Sequence, residues 1–583
     1  MTTKMRKITC LLAALMTVVS FASCGNSDSS SDGSSSSSAS QNSESTADGE
    51  DQQEGGTLQT PDYMNEADVF PICKETTTYR IAVVENTNIE DYETNYETQW
   101  LKEKGNMEFE FEILPSADLS SKVQLQLASY ELPDAYFGLA RGGCQTFTTS
   151  NALKYSEESG DGQIIALNDY IEAWGTNTKA LFEKYASDGL EEMMTSADGN
   201  IYYMPGYGPS YINRHANVLW LNMGWMDKLD LEIPTTTDEF EQVLLAFKNN
   251  DPNGNGKADE IPLSGTSSND GYNIIHYILS AFTVNNTQNF RLYYDENNVV
   301  HFAATEDAWR EGLKYINRLY SQGLIDPALF TQDLAGLKQV ATDAGDICGG
   351  FSALGLGLVT AGAGTEVNDR YDYCPPLTGP DGTCYSVVSI PTAQSNGTIT
   401  SECEKPEALF RLMDYMLSEE CSTLSRYGIE GENYEIAPEG TLSLYGEQAS
   451  IIVTNGIFAI PQNTMWQNFL PFVNDIHNNG AGYPEGADVA SEEKNAKAVP
   501  SYMETEPSNI IPLSNYTLEE ADIVNECSAY IKDMVNEGIA KFTVGEWDIN
   551  DDADWQTYLN ELENAGLSDF LACAQAAYDR TLK

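Results

Sequence analysis

Two short apolar runs near the start of the folded part, 79–84 and 109–114, are rich in β-branched and aromatic residues. Runs of this length and composition are typical of buried strands. The stretch 119–127 that follows has leucine and valine at helical spacing and leads into a further extended run. This alternation predicts an α/β fold built on an open sheet, with ligands bound outside the carboxyl ends of the strands. Residues 84–88 and 137–143 are expected to form two such ends.

Residues 251–260, Asp-Pro-Asn-Gly-Asn-Gly-Lys-Ala-Asp-Glu, have the pattern of a calcium-binding loop. Gly256 permits the sharp reversal of the chain, but Pro262 stands where an EF-hand places its bidentate Glu, so the loop must close differently. The absence of nearby Cys or His argues against zinc. A plain turn between a helix and a strand is the alternative. The candidate ligands of a structural Ca²⁺ are the side chains of Asp251, Asn253, Asn255, Asp259 and Glu260 and the carbonyl of Lys257.

A helix is predicted directly before this loop. Thr236 and Glu239 form a capping box, and apolar residues then recur at helical spacing. Similar patterns predict helices at 305–320, at 406–428 and, as a pair, within 548–583.

Residues 1–23 resemble a bacterial lipoprotein signal peptide. A basic start precedes the apolar run 8–21, which is too short to span a bilayer comfortably, and small residues lead to Cys24. We expect Cys24 to become the lipidated first residue of the mature chain, with ordinary secretion as the alternative. Residues 24–60 are rich in Ser, Asp, Gly and Glu without apolar periodicity, which predicts a disordered tether.

The chain carries 31 basic and 89 acidic residues, a formal net charge of −58. Such a charge repels nucleic acid and anionic lipid headgroups, so neither is an expected partner. No later segment has the roughly eighteen apolar residues of a transmembrane helix, so the lipid anchor would be the one membrane attachment. Nine Cys follow Cys24, an odd number without Cys-x-x-Cys spacing, which favours free thiols.

Seven short motifs occur in a particular order from about residue 75 to the end. They are Glu-Leu-Pro-Asp at 131–134, Leu-Asn-Met-Gly-Trp-Met-Asp-Lys-Leu at 221–229, Ile-Pro-Thr-Thr-Thr-Asp-Glu-Phe at 233–240, the long loop motif 251–264, and the segments 375–382, 427–431 and 576–580. In this order they resemble the family of extracellular solute-binding lipoproteins that serve ABC sugar importers. The alginate-oligosaccharide binders and the LipO-type proteins are the nearest fit. Asn222 and Gly224 depart from the usual pattern before Trp225.

The resemblance implies a two-lobed α/β protein with a type II periplasmic-binding-protein fold and a ligand cleft between the lobes. Residues 75–583 would form this domain. Lobe 1 would comprise about 75–205 and a return segment of about 370–430, and lobe 2 about 206–365 and the C-terminal helices. The resemblance also implies a structural calcium at the loop described above, permease subunits of an ABC transporter as partners, and no enzymatic activity. We expect a monomer, lipid-anchored at the extracellular face of the cell membrane.

Sugars are bound by aromatic faces, which stack on the ring, and by planar polar groups, which orient it. Trp466 and Tyr272 are the favoured aromatic candidates because their turn-like polar neighbours suggest exposure. Core packing is the alternative for every aromatic residue. The further candidates are the aromatic residues Tyr211, Tyr207 and Trp220 and the polar residues Glu85, Asn86, Arg141 and Asn213.

The function expected from these features is capture of a saccharide by lobe closure and its delivery to a permease. Two other classes stay open. A secreted glycoside hydrolase would need two carboxylates, but with 89 acidic residues any pair can be imagined, and no stretch isolates one in an aromatic pocket. A surface protein could also bind polysaccharide without transport. A peptide ligand is compatible with the same kind of cleft.

Overall fold

The structure is a computed structural model. It describes residues 58–156, 160–215, 217–287, 291–360, 363–389, 392–474, 480–511 and 515–582. The predicted signal peptide, Cys24 and nearly all of the predicted tether lie outside these residues.

The described residues form four sheets, surrounded by helices. The strands are β1 (Thr77–Val84), β2 (Met107–Leu114), β3 (Ala135–Phe137), β4 (Met204–Tyr207), β5 (Val218–Asn222), β6 (Leu292–Tyr294), β7 (Val300–Phe302), β8 (Gly350–Ala353), β9 (Tyr371–Cys374), β10 (Gln394–Ile399), β11 (Tyr434–Ile436), β12 (Ile451–Val453), β13 (Phe472–Val473) and β14 (Ala481–Gly482). The α-helices are Tyr96–Gly105, Leu119–Ser129, Thr149–Ala152, Asn168–Trp174, Thr176–Lys184, Leu190–Met194, Tyr211–Arg214, Met223–Lys228, Thr237–Asn249, Ile274–Leu279, Asp307–Ser321, Leu334–Ala341, Gly357–Thr360, Thr365–Arg370, Pro406–Met416, Glu419–Tyr427, Ala490–Met503, Leu518–Val544, Asp552–Asn564 and Leu567–Thr581.

The first lobe is built on a six-stranded sheet with the strand order β13-β4-β10-β3-β1-β2. Strand β1 pairs in parallel with β2 and β3, whereas β10 runs antiparallel to β3 and β4. Tyr79, Ile81 and Val83 of β1 lie in one hydrophobic core, and Ala82 and Val84 lie in another. Successive side chains of a strand point to opposite faces, so this sheet is covered on both sides. The α/β fold predicted from these runs is confirmed.

The second lobe surrounds a three-stranded antiparallel sheet, β8-β5-β9. Helix Asp307–Ser321 turns Trp309, Leu313 and Ile316 into its core, and the long helix Leu518–Val544 packs against the same core. The two C-terminal helices complete this packing. None of the helices described by the structure is long and apolar enough to cross a membrane.

In the described part of the chain, three segments connect the lobes. The described parts of these segments are residues 208–215 and 217 between β4 and β5, residues 375–389 and 392–393 between β9 and β10, and residues 474 and 480–489 between β13 and helix Ala490–Met503. We call these segments the crossovers. A sheet strand on either side fixes each end of the first two, so the crossovers are the natural place for a hinge.

An ion pair braces the first crossover. Arg214 donates from Nε and Nη2 to the two carboxylate oxygens of Glu506, at 2.7 and 2.6 Å, and Nε2 of His215 lies 2.8 Å from Glu506 Oε1. The lobes also contact each other directly, because Asn525 donates to Asn151 at 3.0 Å and Asn515 donates to the carbonyl of Thr195 at 2.7 Å.

The first described residues are tied to the first lobe. Trp174 Nε1 donates to Thr60 Oγ1 at 3.3 Å, and the hydroxyl of Tyr63 donates to Glu407 at 2.7 Å. The backbone N–H of Ile72 donates to the carbonyl of Lys104 at 3.0 Å. Residues 60–72 therefore form a strap across the helices of this lobe.

The helix predicted before the calcium loop is confirmed as Thr237–Asn249, with the capping box at Thr236. The prediction of one helix from Pro406 to Gly428 was wrong in one respect. The chain forms two helices, Pro406–Met416 and Glu419–Tyr427, because the Ser418 hydroxyl caps the start of the second helix. All nine cysteines after Cys24 are free, and eight of them are buried.

Candidate functional site

A cleft of about 850 Å³ lies between the lobes, within the size range of small-molecule sites. The first lobe contributes Arg141, Gly206, Gln394, Arg426, Phe458, Asn468 and Phe472 to its lining. The second lobe contributes residues 268–272, Thr287, Leu354, Leu358 and Lys532, and the crossovers contribute Gly208, Asn213, Asn217, Val387, Ser389, Thr392 and Asn474. Both lobes and all three crossovers thus meet at this site.

Three amide oxygens on the cleft lining are buried and accept no hydrogen bond from the described residues. They are Oδ1 of Asn217, Oε1 of Gln394 and Oδ1 of Asn468. Asn217 is held in place because its Nδ2 donates to the backbone carbonyl of Asp270. A buried acceptor without a donor costs about 1–3 kcal/mol. These oxygens are covered in the described structure, so a ligand rich in hydroxyl groups would supply the missing donors once the side chains turn toward the cleft.

Aromatic side chains from both lobes accompany these acceptors. Tyr272 lies in the second-lobe wall, and Phe458 and Phe472 lie in the first-lobe wall. A Cβ atom at Gly206 would lie 2.5 Å from Asn396 Nδ2 and 2.5 Å from Phe472 Cε1. Glycine at this position of β4 therefore allows the strand and the Phe472 ring to pack closely at the cleft wall.

Two arginines of the first lobe face the cleft. Arg141 is exposed to the cleft but enclosed by protein on its other sides, and this burial lowers its pKa. Burial also lowers the pKa of Arg426 to about 10, and the charge of Arg141 acts in the same direction. The guanidinium carbon of Arg426 lies 3.5 Å from the centre of the Phe458 ring, and that of Arg141 lies 5.8 Å from the Phe469 ring centre.

The second lobe adds Lys532 and the carboxylate of Asp270. Burial opposes ionisation of Asp270, but a hydrogen bond with His276 and the charges of Arg291 and Lys532 lower its pKa well below the usual range. Nε2 of His276 lies 3.4 Å from Asp270 Oδ1. Asp270 is therefore ionised and already engaged by groups of its own lobe.

Three of the predicted ligand residues line the cleft: Tyr272, Arg141 and Asn213. Arg141 lies after β3, within residues 137–143, which were predicted to form a strand end beside the ligand site. Their contact with a ligand stays a prediction.

Three other candidates lie at the surface away from the cleft lining. Glu85 is exposed after β1, and Asn86 accepts a hydrogen bond from the backbone N–H of Asn88 at 2.9 Å. The ring of Tyr211 packs 5.3 Å from that of Tyr445, in a separate pocket beside helix Ala490–Met503.

The exposure expected for Trp466 was wrong, and the ligand candidates Trp466, Trp220 and Tyr207 are all core residues outside the cleft lining. Trp466 is 1% exposed, and its Nε1 donates to Thr98 Oγ1 at 2.8 Å. Trp220 is fully buried in β5 and donates to the carbonyl of Ala353. Tyr207 is fully buried in β4, with its hydroxyl donating to Asp188 at 2.9 Å. Each polar tip finds a partner inside the protein, so none needs a ligand.

Sequence reasoning missed the three unpaired amides as well as Arg426 and the two phenylalanines. Asn and Gln side chains occur throughout the sequence, and nothing local marks these. Phe472 and Asn474 belong to the run Pro-Phe-Val-Asn at 471–474, which contains the short strand β13. This apolar pair followed by Asn is a local signal that could have indicated a strand end at the site.

The predicted calcium loop is organised by its own side chains. Asp251 accepts hydrogen bonds from the backbone N–H groups of Asn255 and Gly256, at 3.1 and 3.0 Å. Asp259 accepts from Nδ2 of Asn255 and of Asn253, at 3.0 and 3.2 Å, and these bonds lower its pKa. The loop therefore holds two carboxylates close to two amide groups.

Glu260 differs from its neighbours in the loop. Its Oε1 is buried and accepts no hydrogen bond in the described structure. Burial raises the pKa of Glu260, and the charges of Asp251 and Asp259 add to this effect. Across the residues that the structure describes, no group of three or more His, Cys, Asp or Glu side chains is arranged to hold a metal ion.

No family model matches the chain. The chain is 28% identical over 541 residues to the fructooligosaccharide ABC transporter substrate-binding protein FusA of Streptococcus pneumoniae serotype 4, which covers 90% of this chain and 94% of FusA. It is 27% identical over 243 residues to lipoprotein LipO of Bacillus subtilis strain 168, which covers 39% of this chain and 46% of LipO.

The fold is also similar to solved structures. S. pneumoniae FusA in complex with kestose has a TM-score of 0.68 and 25% identity, over 87% of this chain and 99% of that chain. An EF-hand mutant of FusA in complex with fructo-nystose has a TM-score of 0.68 and 24% identity over the same shares. The predicted two-lobed α/β architecture is thereby confirmed.

Proposed function

We propose that this chain, a relative of the solute-binding proteins of ABC sugar importers, captures an oligosaccharide in its interlobe cleft and delivers it to a permease. The three buried, unpaired amide oxygens on the cleft lining carry this proposal, because sugar hydroxyls are the donors they lack. FusA, which is similar over nearly its whole length, is a fructooligosaccharide-binding component and was solved with kestose. Capture would proceed by binding to an open form, followed by closure of the lobes about the crossovers.

Thermal shift with a panel of oligosaccharides tests this function, with kestose as the first probe. A ligand that binds the native state raises the melting temperature. We expect Asn468→Ala and Gln394→Ala each to weaken binding of the best ligand roughly tenfold, the effect of one lost hydrogen bond in a buried site. Asn560→Ala, an exposed change on a C-terminal helix, is the matched control. The proposal fails if no oligosaccharide shifts the melting temperature.

The proposed activity is binding without catalysis. The relatives are substrate-binding proteins, and the described cleft presents one carboxylate, Asp270, where a glycoside hydrolase uses two. We expect an oligosaccharide recovered after prolonged incubation with the protein to be unchanged by mass spectrometry. Shorter saccharides, formed by addition of water across a glycosidic bond, would favour the hydrolase.

We further propose that the 251–260 loop binds a structural calcium ion. The buried and unpaired Oε1 of Glu260 fits this role, since a hard cation would satisfy it. The amide groups that now donate to Asp259 present their oxygens on the opposite side of the same planar group, so a half-turn would exchange donor for acceptor. The ion would be held by Asp251, Asn253, Asn255, Asp259, Glu260 and the carbonyl of Lys257, and its charge would offset the carboxylates.

Calorimetry with Ca²⁺ on chelator-treated protein tests this proposal. We expect one bound ion per chain and a higher melting temperature in Ca²⁺ than in EDTA. Asp259→Asn should abolish both effects, whereas Asp552→Asn, an exposed change far along the chain, should keep them. Equal melting temperatures in Ca²⁺ and EDTA would contradict the proposal.

The chain is also proposed to be a lipid-anchored monomer at the extracellular face of the membrane. The sequence of residues 1–24 and the relationship to lipoprotein LipO support this location. Full-length protein should partition into detergent after phase separation, and Cys24→Ser should leave it in the aqueous phase. Partition of the variant into detergent would contradict lipidation at Cys24.

A further inference from the structure

We propose that a second pocket, behind the first crossover, binds a small organic cation such as a quaternary ammonium compound. Its volume is about 310 Å³, at the lower end of the range for small-molecule sites. It is formed by Tyr211 of the first crossover, by residues 444, 445 and 447 between β11 and β12, and by one face of helix Ala490–Met503. We call it the hinge pocket.

One short helix separates the hinge pocket from the saccharide cleft. Within helix Tyr211–Arg214, Tyr211 lines the hinge pocket and Asn213 lines the cleft. Side chains two positions apart in a helix are about 200° apart around its axis, so these two point to opposite sides. The hinge pocket is therefore a separate site, and a ligand bound there does not occupy the cleft.

Two tyrosine rings form a corner of the hinge pocket. The ring centres of Tyr211 and Tyr445 are 5.3 Å apart, and the ring planes are inclined at 51°. Both side chains are half-buried, and Met503, which is 43% exposed, extends the apolar wall. The face of a tyrosine ring attracts an ammonium group because its π electrons carry partial negative charge.

The charged groups of the hinge pocket also favour a cation. Glu447 and Glu493 lie at its exposed rim, and neither carboxylate has an ion-pair partner among the described residues. In the described lining, the one basic side chain is Lys497, and its Nζ lies 3.4 Å from Asp372 Oδ2, which offsets its charge. Two carboxylates are thus available to a positively charged ligand.

The helix that forms one wall adds negative partial charge. Pro500 lies inside this helix and has no N–H, so the carbonyl of Ala496 loses its usual helical donor. The last turn contains no basic residue to offset the negative end of the helix dipole. Ala496, Pro500 and Met503 all line the hinge pocket. A neutral sugar would use these acceptors but would gain little from the charges, so we infer a cation.

The hinge pocket is bounded by parts of the chain that belong to different lobes. Helix Ala490–Met503 packs on the second-lobe core through Ala498 and Tyr502, whereas residues 444–447 follow the first-lobe helix Glu419–Tyr427. Because the first crossover lies between the two sites, closing the cleft would widen the space behind it. A cation in the hinge pocket would therefore favour the closed form of the protein.

Calorimetry with choline tests the site on the purified protein without saccharide. The matched neutral ligand is 3,3-dimethylbutan-1-ol, which has a carbon atom in place of the choline nitrogen. We expect one choline per chain in about 0.15 M salt, where diffuse attraction to a protein of this charge is screened. The neutral analogue should bind about tenfold more weakly, because it lacks the attraction to the rings and carboxylates.

Variants then assign the binding to the hinge pocket. Tyr445→Leu should weaken choline binding about tenfold, whereas Tyr445→Phe, which keeps the ring face, should retain it. Glu493→Gln should weaken choline binding and leave that of the neutral analogue unchanged. Tyr530→Leu and Glu526→Gln, two exposed changes on helix Leu518–Val544, are the matched controls and should bind choline normally. The melting temperature checks that each variant folds.

Three outcomes would overturn the inference or part of it. Equal binding of choline and its neutral analogue would refute a cation site. Undiminished binding of choline by Tyr445→Leu would place the site elsewhere. Choline that binds without lowering the radius of gyration in solution scattering would refute the link to closure. Saccharide capture is measured with separate ligands in the cleft, so each of these failures leaves that proposal standing.

Discussion

A buried carboxyl group in the first lobe gives the protein a specific dependence of stability on pH. Glu97 is fully buried in helix Tyr96–Gly105. Its Oε2 accepts a hydrogen bond from the backbone N–H of Trp466 at 2.6 Å. Burial raises the pKa of Glu97 from 4.5 to about 8, although that hydrogen bond opposes the change.

The direction in which the free energy of unfolding changes with pH follows from the protonation of Glu97 in the folded and unfolded states. Between pH 4.5 and about 8 the group is protonated in the folded protein and ionised in the unfolded chain. The unfolded state therefore binds fewer protons, and the free energy of unfolding falls as pH rises through this window. At about 1.36 kcal/mol for each pH unit, the loss between pH 4.5 and pH 7 is about 3 kcal/mol.

Glu97→Gln removes the titration and keeps both an acceptor oxygen and a donor at this position. We expect the variant and the natural protein to be about equally stable near pH 4.5, and the variant to be about 3 kcal/mol more stable at pH 7. Urea unfolding of the protein at pH 5, 6 and 7, followed by tryptophan fluorescence, measures this difference. Glu103→Gln, an exposed change in the same helix, is the control and should shift all three midpoints equally.

The reasoning would be refuted by a Glu97→Gln variant that is less stable than the natural protein at pH 7. That result would mean that the ionised carboxylate, and not the neutral acid, stabilises the segment around Trp466.

Three further predictions test the cleft and the hinge. Trp466→Ala should lower the free energy of unfolding by about 3–5 kcal/mol, the usual cost for a buried Trp, whereas Tyr272→Ala should weaken saccharide binding with little change in the urea midpoint. Glu506 has its pKa lowered to about 2 against burial, by hydrogen bonds with a histidine and an arginine. Its contribution to stability is therefore complete above pH 4.5 and is lost as pH falls from 4.5 toward 2, and Glu506→Gln should abolish that loss in acid unfolding curves. The double change Asn515→Ala with Asn525→Ala should increase the radius of gyration of the ligand-free protein in solution scattering, and saturating ligand should restore compactness.

Local patterns in the sequence predicted the local structure. The strand runs in the first lobe and the capped helix before the calcium loop each depend on neighbours within a few residues. The calcium-binding pattern at residues 251–260 is local for the same reason, because its carboxylates and amides alternate within ten positions, and calcium binding there stays a prediction.

The placement of the binding residues depends on contacts between distant parts of the chain. Trp466 has polar neighbours in the sequence, which suggested exposure. Glu97 and Thr98 bind its backbone and its ring across separations of 369 and 368 residues, and these bonds draw it into the core. The unpaired amides of Asn217, Gln394 and Asn468 come together for the same reason, through crossovers and strand ends that no local pattern relates.

The strap of residues 60–72 determines which half of the molecule bears a load. Because Thr60 and Tyr63 are bonded to helices of the first lobe, a pull on the N-terminus is transmitted to that lobe first. The second lobe is connected to the strap through the crossovers and through a few direct contacts with the first lobe, so it is the half that can move relative to the N-terminus. If the N-terminus is anchored as proposed, the first lobe would keep a fixed orientation toward the membrane, and the position of the second lobe would distinguish the empty protein from the ligand-bound protein.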